Sequence, residues 1–424
     1  MERWLAAFRA SPAWCLLRRR DFALLWSGET VSQIGDGLNK VALLWFAYQT
    51  SHSALRTSLI GVLQTVPPLA LGPVIGVYLD RLPKKKTMIV INLLHGALVA
   101  LIPLLYGFGL LSLPLLYALV LVISIVSAFY GPALMTALPL VASPTELRPA
   151  NALIQGTSMI GVLLGPVVAG FGISVLGIAD VLYADALTFV FLVVCMAFVR
   201  VRAPENAPSV PGCFADFARS LREGLDFLLR RRRGILFLTL VSGLQNLGAS
   251  AFLFLLPAVV RKDLALDALS LGFIWSAFGA GMLLATALIA LLKLKPRTLL
   301  HVVFAALVLG GFSIGGLAYV KSKFAAAALM VAIGFSAAAF NPVVITLLQD
   351  STPEGLRARV LTAFNTATTS MAMLGMLGFG WAADRVGQNP AMIAIGGVLL
   401  STAVALMLVS RVSSARELLL HEGV

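Results

Sequence analysis

Glu29, Gln33, Asp36 and Lys40 recur at steps of four, three and four residues, a spacing that places them on one face of a helix. They fall inside a long, otherwise apolar stretch. Ionisable side chains at membrane depth are costly and usually face a protein interior or a water-filled cavity. At 1.5 Å per residue, Asp36 stands about 20 Å from the start of its helix, beyond the midpoint, and Glu29 lies nearer the start. Desolvation there disfavours a bare carboxylate, which suits Asp36 or Glu29 to proton coupling. An internal Asp36–Lys40 pair that only satisfies two charges is the other reading. Asp185, in a later apolar stretch, is a third carboxylate at depth, either a coupling acid or a buried partner for a neighbouring helix.

The elements that must position these residues are apolar helices. The chain has 424 residues, 59% hydrophobic and 12% charged, where soluble domains carry roughly 25% charge. Twelve apolar spans are expected near 22–49, 57–79, 87–110, 114–141, 151–176, 180–200, 234–260, 269–292, 298–319, 324–348, 360–384 and 391–411. Each is long enough for about 30 Å of hydrocarbon, and none shows the short alternation of a membrane barrel. The net charge of +13 would point to nucleic acid in a soluble protein. Here the basic residues cluster in loops, and no nucleic-acid partner is expected. With the N-terminus inside, about 25 Lys and Arg fall on the cytoplasmic side and about 6 outside, with Lys40 inside a span. Both termini are therefore expected in the cytoplasm. The N-terminus shows no signal-peptide cleavage pattern, so the first helix is expected to stay.

Cys15, Cys195 and Cys213 form no disulfide or metal spacing, and His52, His95, His301 and His421 are equally dispersed. No metal and no cofactor is expected. No Gly-x-x-x-x-Gly-Lys-Ser/Thr phosphate loop is present, which argues against direct drive by ATP.

Residues 201–233 divide the chain. Ala203-Pro-Glu-Asn-Ala-Pro-Ser-Val-Pro-Gly212 is rich in helix breakers. Beyond it, Phe214, Phe217, Leu221, Leu225 and Leu228 recur at helical spacing, predicting an amphipathic helix on the inner surface that ends in Arg230–Arg233. A topology signal is favoured for it over a lipid- or calmodulin-binding role. The halves on either side look like copies. Gly131-Pro-Ala-Leu-Met-Thr136 matches Asn341-Pro-Val-Val-Ile-Thr346, and Pro144-Thr-Glu-Leu-Arg148 matches Pro353-Glu-Gly-Leu-Arg357, while Ser32-Gln-Ile-Gly35 weakly echoes Leu244-Gln-Asn-Leu-Gly248. The expected organisation is an N-terminal six-helix bundle (1–200), a cytoplasmic linker (201–233) and a C-terminal six-helix bundle (234–424). Two such copies suit alternating access around a central site.

Two motifs carry a family resemblance. Gly72-Pro-Val-Ile-Gly76-Val-Tyr-Leu-Asp80-Arg81-Leu-Pro-Lys84-Lys85-Lys86 resembles the loop signature of major facilitator proteins at Gly76, Asp80, Arg81, Lys84 and Lys85. Tyr78 and Pro83 depart from it. The resemblance implies a conformational latch in which Asp80 meets the start of span eleven; a basic loop that only sets topology is the bland alternative. Gly161-Val-Leu-Leu-Gly165-Pro166-Val-Val-Ala-Gly170 resembles the antiporter motif of exporters in helix five, with Ala169 replacing one glycine. Physically, a Gly-x-x-x-Gly pair lets helices approach backbone to backbone, and Pro166 removes one helical N–H. Arg19-Arg-Asp-Phe22, Ser32-Gln-Ile-Gly-Asp36 and Asp185-Ala-Leu-Thr-Phe189 resemble the branch containing macrolide efflux proteins and the enterobactin exporter. In the second half, Lys293-Leu-Lys-Pro-Arg297 keeps the loop's charge without an Asp-Arg pair. Gly378-Phe-Gly-Trp-Ala-Ala-Asp384-Arg385-Val-Gly387 looks similar but falls at the outer end of span eleven, and is read as helix termination.

The implied fold is all-α: a polytopic membrane protein of twelve transmembrane helices in two pseudo-symmetric six-helix bundles, the major facilitator fold. Trp26, Gln33, Gln64, Tyr130, Gln245, Asn246, Trp275, Asn341 and Phe364 are substrate-cavity candidates, with Trp45, Phe129, Phe252 and Phe340 in the same central spans. Large apolar walls with few polar groups suit lipophilic substrates. The expected function is export of a hydrophobic or amphipathic small molecule (drug- or macrolide-like) from the bacterial inner membrane by proton antiport, by a monomer. Export of a siderophore or movement of a lysophospholipid is the same-fold alternative. An integral membrane enzyme is disfavoured, because no clustered nucleophile, metal set or paired carboxylates at a membrane face is found.

Overall fold

A computed structural model of the chain describes residues 12–80, 82–200, 214–227, 233–292 and 296–411. Arg81 and Arg230–Arg232 lie outside the described residues, as do the side chains of Gly76, Asp80, Phe214 and Phe217 and the whole of Leu228. After a short turn of helix at Pro12–Leu17, the long helices are α1 (Arg20–Ser51), α2 (Ala54–Asp80), α3 (Lys84–Gly107), α4 (Leu113–Ala128, continued by Tyr130–Ala137), α5 (Leu147–Val175) and α6 (Ile178–Phe198). A linker helix, Phe214–Asp226, precedes α7 (Arg233–Ala258), α8 (Ala268–Leu292), α9 (Pro296–Gly316), α10 (Lys323–Asp350), α11 (Arg357–Val386) and α12 (Gln388–Arg411). No strand occurs among the described residues. Among the described residues, eleven helices are long and apolar enough to cross a membrane. The remaining expected span, α1, has the length, 32 residues, but is less apolar because Glu29, Asp36 and Lys40 lie within it.

The sequence copies fold alike where their chemistry demands it. Ser143 and Glu146 form a capping box: the Ser143 side chain accepts from the Glu146 backbone N–H, and Glu146 Oε2 accepts from the Ser143 N–H at 2.9 Å. One 3₁₀ turn, Pro144–Glu146, then leads into α5; its counterpart, Glu354–Leu356, leads into α11. Gly177 (φ +100°) joins α5 to α6 and Gly387 (φ +98°) joins α11 to α12. Without a Cβ, glycine adopts this positive-φ conformation with no steric clash. The copies diverge at their prolines. Pro132 has no N–H for the Ala128 carbonyl, and α4 breaks at Phe129. Pro342 sits inside an uninterrupted α10.

The chain divides into two compact units: Met1–Leu43 with Val66–Cys213, and Leu44–Thr65 with Phe214–Val424. In the first unit α3 packs on α6, the His95 ring stacked 4.2 Å from Phe189, with Ser127 of α4 at 3.2 Å from His95 Nδ1. In the second unit, small residues set the helix approaches, as expected where lipid gives no hydrophobic drive for association. Gly281 of α8 abuts the Val331 carbonyl of α10, Gly334 of α10 abuts the Phe278 carbonyl, and Gly375 of α11 abuts the Leu247 carbonyl of α7. The linker helix seats Gly224 against the Arg359 carbonyl, beside a Glu223–Arg359 ion pair, so it packs on the first turns of α11. Phe171, Leu187, Leu284, Phe312 and Leu408 are exposed, the apolar exterior required of a surface solvated by lipid.

Candidate functional site

The acidic face of α1 is built by close approach of α5 and α6. Gly28 and Gly35, two turns apart, meet α6: a Cβ on Gly28 would lie 2.8 Å from Leu192 Cδ1, and one on Gly35 would lie 2.5 Å from Asp185 Oδ1. Gly37, on another face, meets α5, where a Cβ would lie 2.6 Å from the Gly161 carbonyl and 2.8 Å from Gly165 Cα. The two motif glycines of α5 reciprocate. Gly161 abuts the Gln33 carbonyl, and a Cβ on Gly165 would lie 2.6 Å from Gly37 Cα. The Gly-x-x-x-Gly run thus grips the α1 turn that carries Gln33 and Asp36. Pro166, Ala169 and Gly170 continue the same helix and are buried; an alanine is accommodated at 169.

Two buried carboxylates, Glu29 and Asp185, and the half-buried Asp36 are positioned by this scaffold. Glu29, 2% exposed, accepts hydrogen bonds from the Tyr130 hydroxyl and, at 3.1 Å, from Gln33 Nε2. Tyr130 opens the second segment of α4, so the break at Phe129 is what delivers it. Asp185, 0% exposed, accepts from Asn39 Nδ2 at 2.7 Å, joining α6 back to α1. Asp36 lies between them in sequence and within electrostatic range of both Asp185 and Glu29. Glu29 and Asp185 are therefore held by neutral donors, an arrangement in which a carboxyl is satisfied with or without its proton. Among the described residues no group of His, Cys, Asp and Glu could hold a metal ion.

The start of α1 is pinned by the Arg19-Arg-Asp-Phe22 residues. Arg19 Nη1 donates to Glu146 Oε2 at 2.5 Å, Asp21 Oδ1 accepts from the Arg200 N–H at 3.0 Å, and Phe22 is fully buried. The lysines that open α3 cap the ends of other helices, where cations are favoured. Lys85 Nζ donates to the Ala197 and Val199 carbonyls at 2.7 and 2.8 Å, and Lys84 Nζ to the Leu79 carbonyl at 2.5 Å.

The remaining sequence candidates separate. Trp26 Nε1 donates to the Leu153 carbonyl at 3.3 Å, tying α1 to α5. Gln64 is half-buried and Asn341 exposed; Gln245, Trp275 and Phe364 are buried within the second unit, and Asn246 donates to the Ser242 carbonyl at 3.0 Å on its own helix. The Gln245 amide oxygen is buried without a hydrogen-bond partner. Sequence reasoning missed Asn39, Gly35 and Gly37. The two glycines were visible in α1 as small residues beside the acids, whereas Asn39 lies off the four-three-four face and gave no signal.

The family model described as the Major Facilitator Superfamily matches residues 25–376. The chain belongs to the Major Facilitator Superfamily. It is accordingly a multi-pass membrane transporter and not an enzyme. The superfamily match covers α1 in full apart from its first turn. Macrolide efflux protein A of Streptococcus pyogenes is 23% identical over 392 residues, covering 92% of this chain and 96% of that one. Multidrug efflux pump Tap of Mycolicibacterium fortuitum is 24% identical over 405 residues, covering 93% and 97%. Among solved structures, the nucleoside transporter NupG superposes with a TM-score of 0.68 at 13% identity, covering 91% of this chain and 98% of that one.

Proposed function

We propose that the protein exports hydrophobic or amphipathic small molecules of the macrolide and multidrug class, by proton antiport and alternating access. The observation that carries the reading is the pair of buried carboxylates, Glu29 of α1 and Asp185 of α6, flanking the half-buried Asp36 on the α1 turn gripped by the paired glycines of α5. A carboxyl that exchanges a proton changes the charge on a helix gripped by its neighbours, which couples protonation to helix packing. The efflux names of the two relatives support the substrate class and the outward direction. On this reading the membrane is the bacterial inner membrane with both termini cytoplasmic, the working form is a monomer, and Asp80, Arg81 and Gly76 serve the latch. Lipid forms the surrounding solvent and the proton is the coupling ion.

The test is transport by purified protein in liposomes with an imposed pH gradient, using ethidium and a macrolide as probes. Gradient-dependent movement of either probe, lost in Asp36→Asn, supports the proposal. Probe movement indifferent to the gradient overturns proton coupling. Absence of movement for both, with movement of a siderophore or lysophospholipid, overturns the substrate class.

A further inference from the structure

Asp384 does more than end a helix. It lies in the last turn of α11, and its carboxylate takes three hydrogen bonds from the start of α2: Ser53 Oγ–H at 2.5 Å, Ala54 N–H at 2.6 Å and Leu55 N–H at 3.2 Å. The first N–H groups of any helix lack intrahelical partners and attract negative charge. Ser53 completes the cap by accepting from the Arg56 N–H at 3.1 Å. A residue 330 positions away in sequence thus serves as the N-terminal cap of α2.

The surrounding contacts make this a built junction. One turn earlier on α11, Gly380 lies flush on α2, where a Cβ would stand 3.0 Å from Leu55 Cα and 3.1 Å from Ser58 Cβ. On α2 itself, Gly61 rests directly on the Phe254 ring of α7. Past the end of α7, a π-helical turn at Val259–Asp263 presents Arg261 over the Trp45 ring at 5.8 Å. Such π turns are frequent at functional sites. Arg385 is turned elsewhere, over Trp381 at 5.6 Å. The segment so held, Leu44–Thr65, is the far end of α1 and the beginning of α2, which clusters with Phe214–Val424 rather than with the rest of its own helices.

We propose that Asp384 is a latch at this end of the molecule: its cap on α2 must be released before the Leu44–Thr65 segment can part from α7 and α11. The inference rests on the alternating-access reading, since only a transporter that opens at both ends needs the segment to part. Gly380-Trp-Ala-Ala-Asp384-Arg385 repeats the Gly-x-x-x-Asp-Arg spacing that ends α2 at Gly76-Val-Tyr-Leu-Asp80-Arg81. A carboxylate suits the role because its hydrogen bonds to backbone N–H groups are strong when made, yet water replaces them when the helices separate.

The experiment uses the full chain in lipid nanodiscs, with Cys15, Cys195 and Cys213 replaced by alanine and spin labels at two exposed positions of the second unit, Thr50→Cys on the held segment and Lys321→Cys just before α10. Asp384→Asn and Asp384→Ala should shift the label-to-label distances to longer values, lowering the closed-to-open ratio roughly fivefold, the size of a lost helix cap. Ser53→Ala should shift it in the same direction by less, and serves if the Asp384 variants do not fold. Arg385→Ala, which keeps the carboxylate, should leave the distances unchanged. Distances in folded Asp384→Ala identical to wild type overturn the latch, as does a shift of equal size in Arg385→Ala. The readout needs no substrate, so a shifted distribution in a protein that moves neither ethidium nor macrolide upholds the latch while the export reading fails.

Discussion

At the scale of residues, the acids on α1 differ in what holds them, and their variants should differ accordingly. Glu29 relies on the Tyr130 hydroxyl as well as on Gln33. Tyr130→Phe removes a donor to a buried carboxyl and should destabilise the protein by ~2 kcal/mol, read as a lower thermal midpoint in detergent. Asp36→Asn keeps the shape of the side chain and removes its exchangeable charge. It should leave the thermal midpoint within a few degrees of wild type and abolish gradient-driven accumulation. A fully coupled Asp36→Asn protein would assign coupling to Glu29 or Asp185 instead. The four-three-four spacing made the acidic face legible in sequence. The donors were not, because Tyr130 and Asn39 reach their carboxylates from a broken α4 and from a different face of α1.

At the scale of elements, two glycines of α5 give a clean contrast. Gly156 has no atom within 4 Å of a would-be Cβ, whereas Gly165 meets the α1 backbone. Gly156→Ala should therefore stabilise α5 by ~0.5–1 kcal/mol through helix propensity alone. Gly165→Ala should destabilise the protein by ~1–3 kcal/mol, because an added methyl forces α5 from α1, and should lower transport with it. Thermal unfolding of the two variants measures both, and equal effects would remove the motif's packing role. Outside the spans, Asp267 caps α8 by accepting from the Ser270 N–H at 2.9 Å. Its hydrogen bonds to Ser270, side chain first and then backbone, hold its carboxyl below the ordinary value of 3.8. A carboxyl so depressed contributes stability that is present above 3.8 and is lost as the pH falls through its lower folded value. Asp267→Ala should cost ~1 kcal/mol at neutral pH, and the difference from wild type should vanish in strong acid.

At the scale of the whole molecule, the energy source is the proposal with the widest reach. A protonophore should abolish export from intact cells, and depletion of ATP with the proton gradient held should leave it unchanged. Export that survives the protonophore and stops without ATP would overturn secondary transport. The repeated halves bear on this scale too. The 3₁₀ turns before α5 and α11 and the glycine turns after them show that the copies share a local code. The acids, in contrast, lie on α1 and α6 of the first copy only, and the corresponding helices α7 and α12 carry none among their described residues. The two copies therefore differ in chemistry: acids at depth in the first and, at Gln245, an unpaired polar point in the second.

Composition and periodicity determined the all-α membrane class, the run of spans, the repeat and the acidic face of α1, since hydrocarbon tolerates little but apolar helices with satisfied backbones. The short motifs pointed to the superfamily. Only the tertiary structure decided what the motifs touch. Gly161 and Gly165 proved to grip the turn bearing Asp36, Lys84 and Lys85 to cap helix ends, and Asp384, read as simple termination, to cap α2. A glycine or an aspartate in sequence states only what its backbone and charge permit. Which helix comes close enough to use that permission depends on packing over hundreds of residues, and Asp384 and Ala54 meet only once α11 and α2 lie side by side.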